Sequence, residues 1–351
     1  GDEYKRKLQY AKEKFGSDRS CLFINMNNFY FSNNSIVYFA GEFQRRGGKV
    51  LLIDQVFKYP DWSQELRTCY DKYPGLKIVF TGSSVMRLKE ENLELRDIVK
   101  SYNLRGFSFR EFLNLHTDMK FRAYTLDEIL QNHEAIAKGI LTKVQPLNFF
   151  QDYLHHGFYP FFLEKRNFSE NLLKTMNMMI EVDILVLKQI ELKYLSKIKK
   201  LFYLLAINGP KAPNVSQLAT DIQTSRATVM NYIKYLTDAR LINMIYPVGE
   251  EFPKKPAKVM MHNSNLMYTI YPAICDEQDV LDTFFLNTMY KDHKLYKGDK
   301  NSSFIVNDSM PFKICSNVQR TKVNPEVKYA VHHLEIGKGN QIPLWLFGFL
   351  Y

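Results

Sequence analysis

Two short apolar runs, with a helix-length segment between them, constrain this chain more than any other feature. The first, Lys49-Val50-Leu51-Leu52-Ile53-Asp54-Gln55, ends in an acid followed by an amide. The second, Leu76-Lys77-Ile78-Val79-Phe80-Thr81, runs into Gly82-Ser83-Ser84. Runs this short and apolar read as buried strands, and residues 61–73 between them read as a helix opened by Asp61 after Pro60. Ser20 to Asn25 is a further strand, joined to the first run by a helix over Asn33 to Arg46 that stops at Gly47-Gly48. Lys5 to Phe15 has the pattern of a charged amphipathic helix. Strands alternating with helices imply a parallel sheet covered on both faces, with ligands beyond the carboxyl ends of its strands. Asp54, Gln55, Ser83 and Ser84 stand at those ends.

Downstream the pattern changes. Residues 118–198 carry only helical periodicity, clearest over Leu126 to Ile140, Asn148 to His156 and Phe168 to Tyr194. The aromatic cluster Phe149, Phe150, Tyr153, Phe158, Tyr159, Phe161 and Phe162 admits base stacking, but packing of a helical lid on the sheet is the better reading. Residues 199–262 have the order of a winged helix. Helices over Lys199 to Asn208 and Ser216 to Ile222 precede a third, capped by Ser225 and reaching Leu236. Val229, Tyr232, Ile233 and Leu236 fall on one face of it, and Arg226, Asn231 and Lys234 lie off that face, free to enter a major groove. The same module also serves as a packing domain. Leu241 to Tyr246 and Lys258 to His262 are the expected wing strands, joined through Lys254-Lys255-Pro256. Residues 263–351 begin with a helix over Leu281 to Tyr290 and continue as short β-rich segments. They end in the apolar stretch Ile342 to Tyr351, expected to dock as a strand.

Composition limits the function classes. The 351 residues suffice for more than one core, and 46% of them are hydrophobic, which excludes a disordered tail. No apolar run reaches the roughly 18 residues of a membrane span, and the expected location is cytoplasmic. The net charge of +10 favours a polyanionic partner, nucleic acid first, against a merely basic surface. Cys21, Cys69, Cys275 and Cys315 are too scattered for a zinc site or disulfide framework. Adjacent histidines on a helix or strand diverge, so His155-His156 and His332-His333 are not expected to clamp a metal.

Four blocks together resemble a prokaryotic AAA-type ATPase family. Leu51-Leu52-Ile53-Asp54-Gln55-Val56-Phe57-Lys58-Tyr59-Pro60-Asp61-Trp62 is similar to the family's L-[FL]-[IL]-D-E-[IV]-H-K-Y-P-x-W. Ile78 to Ser84, Gly106 to Phe112 and Ile342 to Tyr351 are similar to three further blocks. The resemblance implies an α/β chain in four parts. These are an ATPase-like parallel-sheet domain (1–117), a helical lid (118–198), a winged helix (199–262) and a restriction-endonuclease-like α/β domain (263–351). It implies ATP and magnesium as ligands. Asp54 would be the acid of the magnesium shell, Ser83 and Ser84 the sensor near the γ-phosphate, and Arg96 the nearest substitute for an arginine finger.

The departures from the family are as informative. Its G-x-x-x-x-G-K-[ST] loop, which cradles phosphates with backbone amides and a lysine, would end near Glu3 and Tyr4, ahead of Leu8-Gln9-Tyr10. Gln55 replaces the glutamate that activates water, and glutamine cannot accept a proton. Phe57 replaces the usual histidine, and the arginine pair aligns with Asp97 and Ile98. In the last domain the helix acid is Asp282. The strand aspartate aligns with Asn307, beside Asp308, and the catalytic glutamate and lysine align with Lys313 and Asn317. A cation at Lys313 would repel a metal. The expectation is therefore a degenerate member of the family that acts as a binding or scaffold module, as a monomer or weak dimer. One alternative is an active ATPase whose phosphate loop lies upstream of residue 1. The other is a nucleic-acid-binding regulator that uses Arg226, Asn231 and Lys234.

Overall fold

The computed structural model describes residues 19–82, 92, 94–102, 104–164, 166–185, 188–319 and 323–351. The chain forms two compact units, residues 1–103 and 104–351. The helix expected over Lys5 to Phe15 lies outside the described residues. So do the sensor candidates Ser83 and Ser84.

In the first unit the expected alternation is present as β1 (Cys21–Asn25), α1 (Ile36–Arg45), β2 (Val50–Asp54), α2 (Trp62–Lys72) and β3 (Lys77–Phe80). The strands are parallel in the order β1-β2-β3, with Leu22, Leu51 and Ile78 level, and Ile24, Ile53 and Phe80 level. This face carries the core. Leu51 and Ile53 are fully buried against Ile36 and Ala40 of α1 and against Trp62, Leu66 and Cys69 of α2. Ser35 caps α1 by accepting the Tyr38 N–H at 3.0 Å. Asp61 does not cap α2 as expected. Its backbone is left-handed (φ 50°), whereas a capping side chain needs extended backbone to reach forward. Glu65 ties α2 to α1 instead, accepting the Val37 N–H at 3.0 Å.

The second unit opens with α3 (Phe109–Thr117), α4 (Leu126–Leu141) and α5 (Leu147–His156). Ser108 with Glu111, and Thr125 with Glu128, form reciprocal capping boxes that set the starts of α3 and α4. The division between the two compact units falls ahead of α3. Phe150 and Tyr153 of α5 are buried against Phe109, with ring centroids 4.9 and 5.4 Å away, and against Phe284. Rings so enclosed cannot stack on bases, which leaves packing as their role. The long helix expected over Phe168 to Tyr194 is interrupted. α6 (Phe168–Met178) passes into a wider π turn over Met179–Ile184, and Gln189 then takes left-handed backbone (φ 50°).

Next come α7 (Leu195–Asn208), α8 (Val215–Asp221) and α9 (Arg226–Asp238), then the antiparallel pair β4 (Ile242–Ile245) and β5 (Lys258–Met261). Val229, Tyr232, Ile233 and Leu236 form the buried stripe of α9, and Ser225 caps it through the Thr228 N–H. After α10 (Ser264–Ile270) runs α11 (Glu277–Met289), buried on every side from Val280 onward. It lies on a five-stranded sheet of β6 (Leu295–Lys297), β7 (Phe304–Val306), β8 (Met310–Cys315), β9 (Lys328–Val331) and β10 (Gln341–Pro343). Their order is β10-β9-β8-β7-β6. β6, β7 and β8 pair antiparallel, and β8, β9 and β10 pair parallel. The apolar tail docks, but only Gln341–Pro343 does so as a strand. Leu344–Phe349 winds into a fully buried 3-10 turn whose Phe347 meets Phe285 and Phe312. A run that is apolar on all sides does not reveal its period, so sequence could not separate strand from helix there.

Candidate functional site

Parallel register places three polar residues side by side where the sheet of the first unit ends. Asn25 pairs level with Asp54. Thr81 follows β3 and is drawn in by its own N–H, which donates to Ile53 O at 2.8 Å. The Thr81 hydroxyl donates to Asp54 Oδ1 at 2.6 Å, and Asn25 Nδ2 donates to Oδ2 at 3.2 Å. Each carboxylate oxygen therefore already has a neutral donor. The backbone closes the same edge, with Met26 N–H on Asp54 O and Val56 N–H on Thr81 O, both at 3.0 Å.

Gln55 leaves the strand in left-handed backbone (φ 55°, ψ 40°) and leads into the 3-10 turn Val56–Lys58. A non-glycine residue held there costs on the order of 1 kcal/mol or more, so the surrounding bonds over-determine its position. Beyond β1 and β2 opens a polar groove of about 720 Å³, lined among others by Asn27, Asn28, Lys58, Asp61, Gln64 and Glu65. Two carboxylates against one ammonium make it unsuited to a polyphosphate. Arg96 is exposed, and the neighbouring position carries an acid. Asp97 takes two hydrogen bonds from Arg67 at 3.0 Å, which hold its carboxyl below the usual range. The sequence pointed to Asp54 and Gln55 but missed Asn25 and Thr81. The available signal was that Asn25 and Thr81, like Asp54, each close an apolar run.

In the second unit, Arg226 and Asn231 are exposed on α9, whereas Lys234 is paired with Asp238 one turn on. The three nuclease-like residues lie on three different elements. Asp282 is buried on α11, where Gln278 Nε2 donates to its Oδ1 at 2.8 Å, and burial pushes its carboxyl up to about 6. Asn307 (φ 50°) and Asp308 (φ 69°) are the first two of the three residues, 307–309, that join β7 to β8. They are not strand neighbours facing opposite sides, as expected, because an Asn-Asp pair tolerates the positive φ that such turns require. Asp308 bonds Tyr296 on β6, while Lys313 lies on β8, beyond the turn.

Residues 7–113 match an AAA domain. Residues 147–270 match a domain of unknown function, DUF8612. An uncharacterized protein of Methanocaldococcus jannaschii is 31% identical over 208 residues, which cover 57% of this chain and 43% of that protein. The chain thus spans less than half the length of that relative. The three-stranded parallel sheet and the AAA match fall on the same region, so the chain carries an AAA-type, P-loop-ATPase-like domain at its N-terminal end. No helix among the described residues is long and apolar enough to cross a membrane.

Proposed function

We propose that this AAA-type chain is a degenerate ATPase-family protein that acts as a binding or scaffold module and hydrolyses little or no ATP. The observation that supports this is the Asn25–Asp54–Thr81 arrangement. Asp54 is the residue that would face a magnesium shell, yet both of its oxygens are engaged by protein donors. A metal-bound water would have to fit beside these donors, on the remaining acceptor side of an oxygen whose orientation they already fix, and each hydrogen bond to the charged group contributes about 1.5–3 kcal/mol. Beside it Gln55 can hold a water but cannot take its proton. ATP and magnesium remain the ligands the family implies, with Ser83, Ser84 and Arg96 as candidate sensor and finger. The test is phosphate release from ATP with magnesium, expected at background. Steady release that disappears in Asp54→Ala would overturn the reading and favour the active ATPase.

A second reading has its own support. Helices α7, α8 and α9 followed by the β4–β5 hairpin keep the order of a winged helix, and the net charge is +10. With Arg226 and Asn231 exposed on α9, this module would bind a nucleic-acid backbone. We expect a DNA duplex to bind in a salt-dependent way and Arg226→Ala to weaken it several-fold. Lys234→Ala should do less, because Asp238 already pairs with that ammonium. The sheet order of residues 295–343 supports an endonuclease-like architecture. With Asp308 in a turn and bonded to Tyr296, and a cation at Lys313, the same duplex should stay uncut in magnesium.

A further inference from the structure

We propose that Glu277, His332 and His333 form a binding site for one zinc-class divalent cation at the carboxyl ends of β8 and β9. Glu277 is the first residue of α11, and Ser316, the residue after β8, donates its hydroxyl to Glu277 Oε2 at 2.9 Å. That bond leaves Oε1 facing the histidines. His332 and His333 follow the last residue of β9. Their N–H groups donate to Cys315 O and Ser316 O, both at 2.9 Å, so the pairing of β9 on β8 continues past the strand and fixes both backbones. The divergence of adjacent histidines holds for a regular strand or helix, and these two lie in a turn. Their rings are 4.2 Å apart by centroid, and both Nε2 atoms point at the same oxygen.

The separations fit a shared ion better than direct hydrogen bonds. Glu277 Oε1 lies 3.7 Å from His332 Nε2 and 3.5 Å from His333 Nε2, and one ligand atom from each of the three residues falls within 4.8 Å of the others. An N–H···O bond would be 2.7–3.2 Å. Ligands about 2.1 Å from a tetrahedral ion stand about 3.4 Å from one another. His332 adds an independent sign. Its side chain is 8% exposed, its Nδ1 is buried without a hydrogen-bond partner, and its Nε2 is aimed into the cluster. A cation on Nε2 takes the lone pair that faces the cluster and holds the ring proton on Nδ1, so it supplies a strong partner at Nε2 without itself satisfying Nδ1. Two imidazoles and one carboxylate select zinc-class ions over magnesium or calcium. Glu277 and His333 are each 54% exposed, so solvent can complete the shell.

The experiment is titration of the metal-free full chain with Zn²⁺ against a chromophoric chelator, with Co²⁺ absorption as a second readout of the ligand set. One equivalent should bind per chain. Glu277→Gln and His333→Ala, both at half-exposed positions that leave the core untouched, should each weaken binding roughly tenfold or more. Absence of saturable binding, or unchanged affinity in either variant, overturns the proposal.

Discussion

Asp54 and Asp282 carry the same carboxyl group in the two units, and their surroundings give it opposite characters. Asp54, at a partly exposed strand end, meets two neutral donors, one for each oxygen. Asp282, 7% exposed on a helix buried on all sides, has one donor from Gln278, and burial pushes its pKa up to about 6. By position in the sequence both resembled magnesium ligands. What an acid can do is set by the donors and solvent that its fold leaves it, more than by its place in a motif.

The larger test of this contrast is Asp282→Asn. The carboxyl's folded value of about 6 lies above the ordinary 3.8, so between these two pH values the folded chain holds more proton than the unfolded one. Stability from this residue is therefore full below about pH 4, falls as pH rises towards 6, and stays low above it. Asparagine can keep the Gln278 bond without the charge. We expect the variant to be more stable at pH 7 by up to about 3 kcal/mol, and to lose the slope between pH 4 and 6. Urea unfolding across that range checks it. A variant no more stable than the parent at pH 7 would mean that the anion has a partner, and the contrast with Asp54 would disappear.

Much of the first unit was legible because its information is local. Alternating apolar runs, the Gly47-Gly48 stop and the turn before Leu76 each act within a few residues, and together they dictate three parallel strands with an acid at the second strand's end. The buried stripe of α9 was legible for the same reason. Long-range geometry was not. Thr81 reaches Asp54 across 27 positions, and Glu277 approaches His332 across more than fifty. No periodicity reports either approach. The left-handed backbone at Asp61 and the Asn307-Asp308 turn also escaped, because in each case residues with another habitual role (helix cap, strand acid) took the conformation that the chain path required. The 3-10 ending was hidden by its uniformity.

The smaller test separates charge from hydrogen bonding at Asp54. Asp54→Ala removes the acceptor that the Thr81 hydroxyl and the Asn25 amide share at a partly buried strand end, which should cost about 1–2 kcal/mol. Asp54→Asn should cost less, and the reason lies in the neighbours. Asn25 is held in one orientation because its Oδ1 accepts the Asn27 N–H at 2.8 Å while its Nδ2 faces residue 54. An asparagine at 54 must therefore turn its oxygen towards Asn25 and its NH₂ towards Thr81, whose hydroxyl can rotate to accept. Both bonds survive, now neutral, and denaturation midpoints should place Asn between the parent and Ala. Equal losses for Asn and Ala would show that the negative charge itself is needed. Asp54 would then resemble an acid awaiting a cation, and the proposal that it serves mainly to accept from Asn25 and Thr81 would fail.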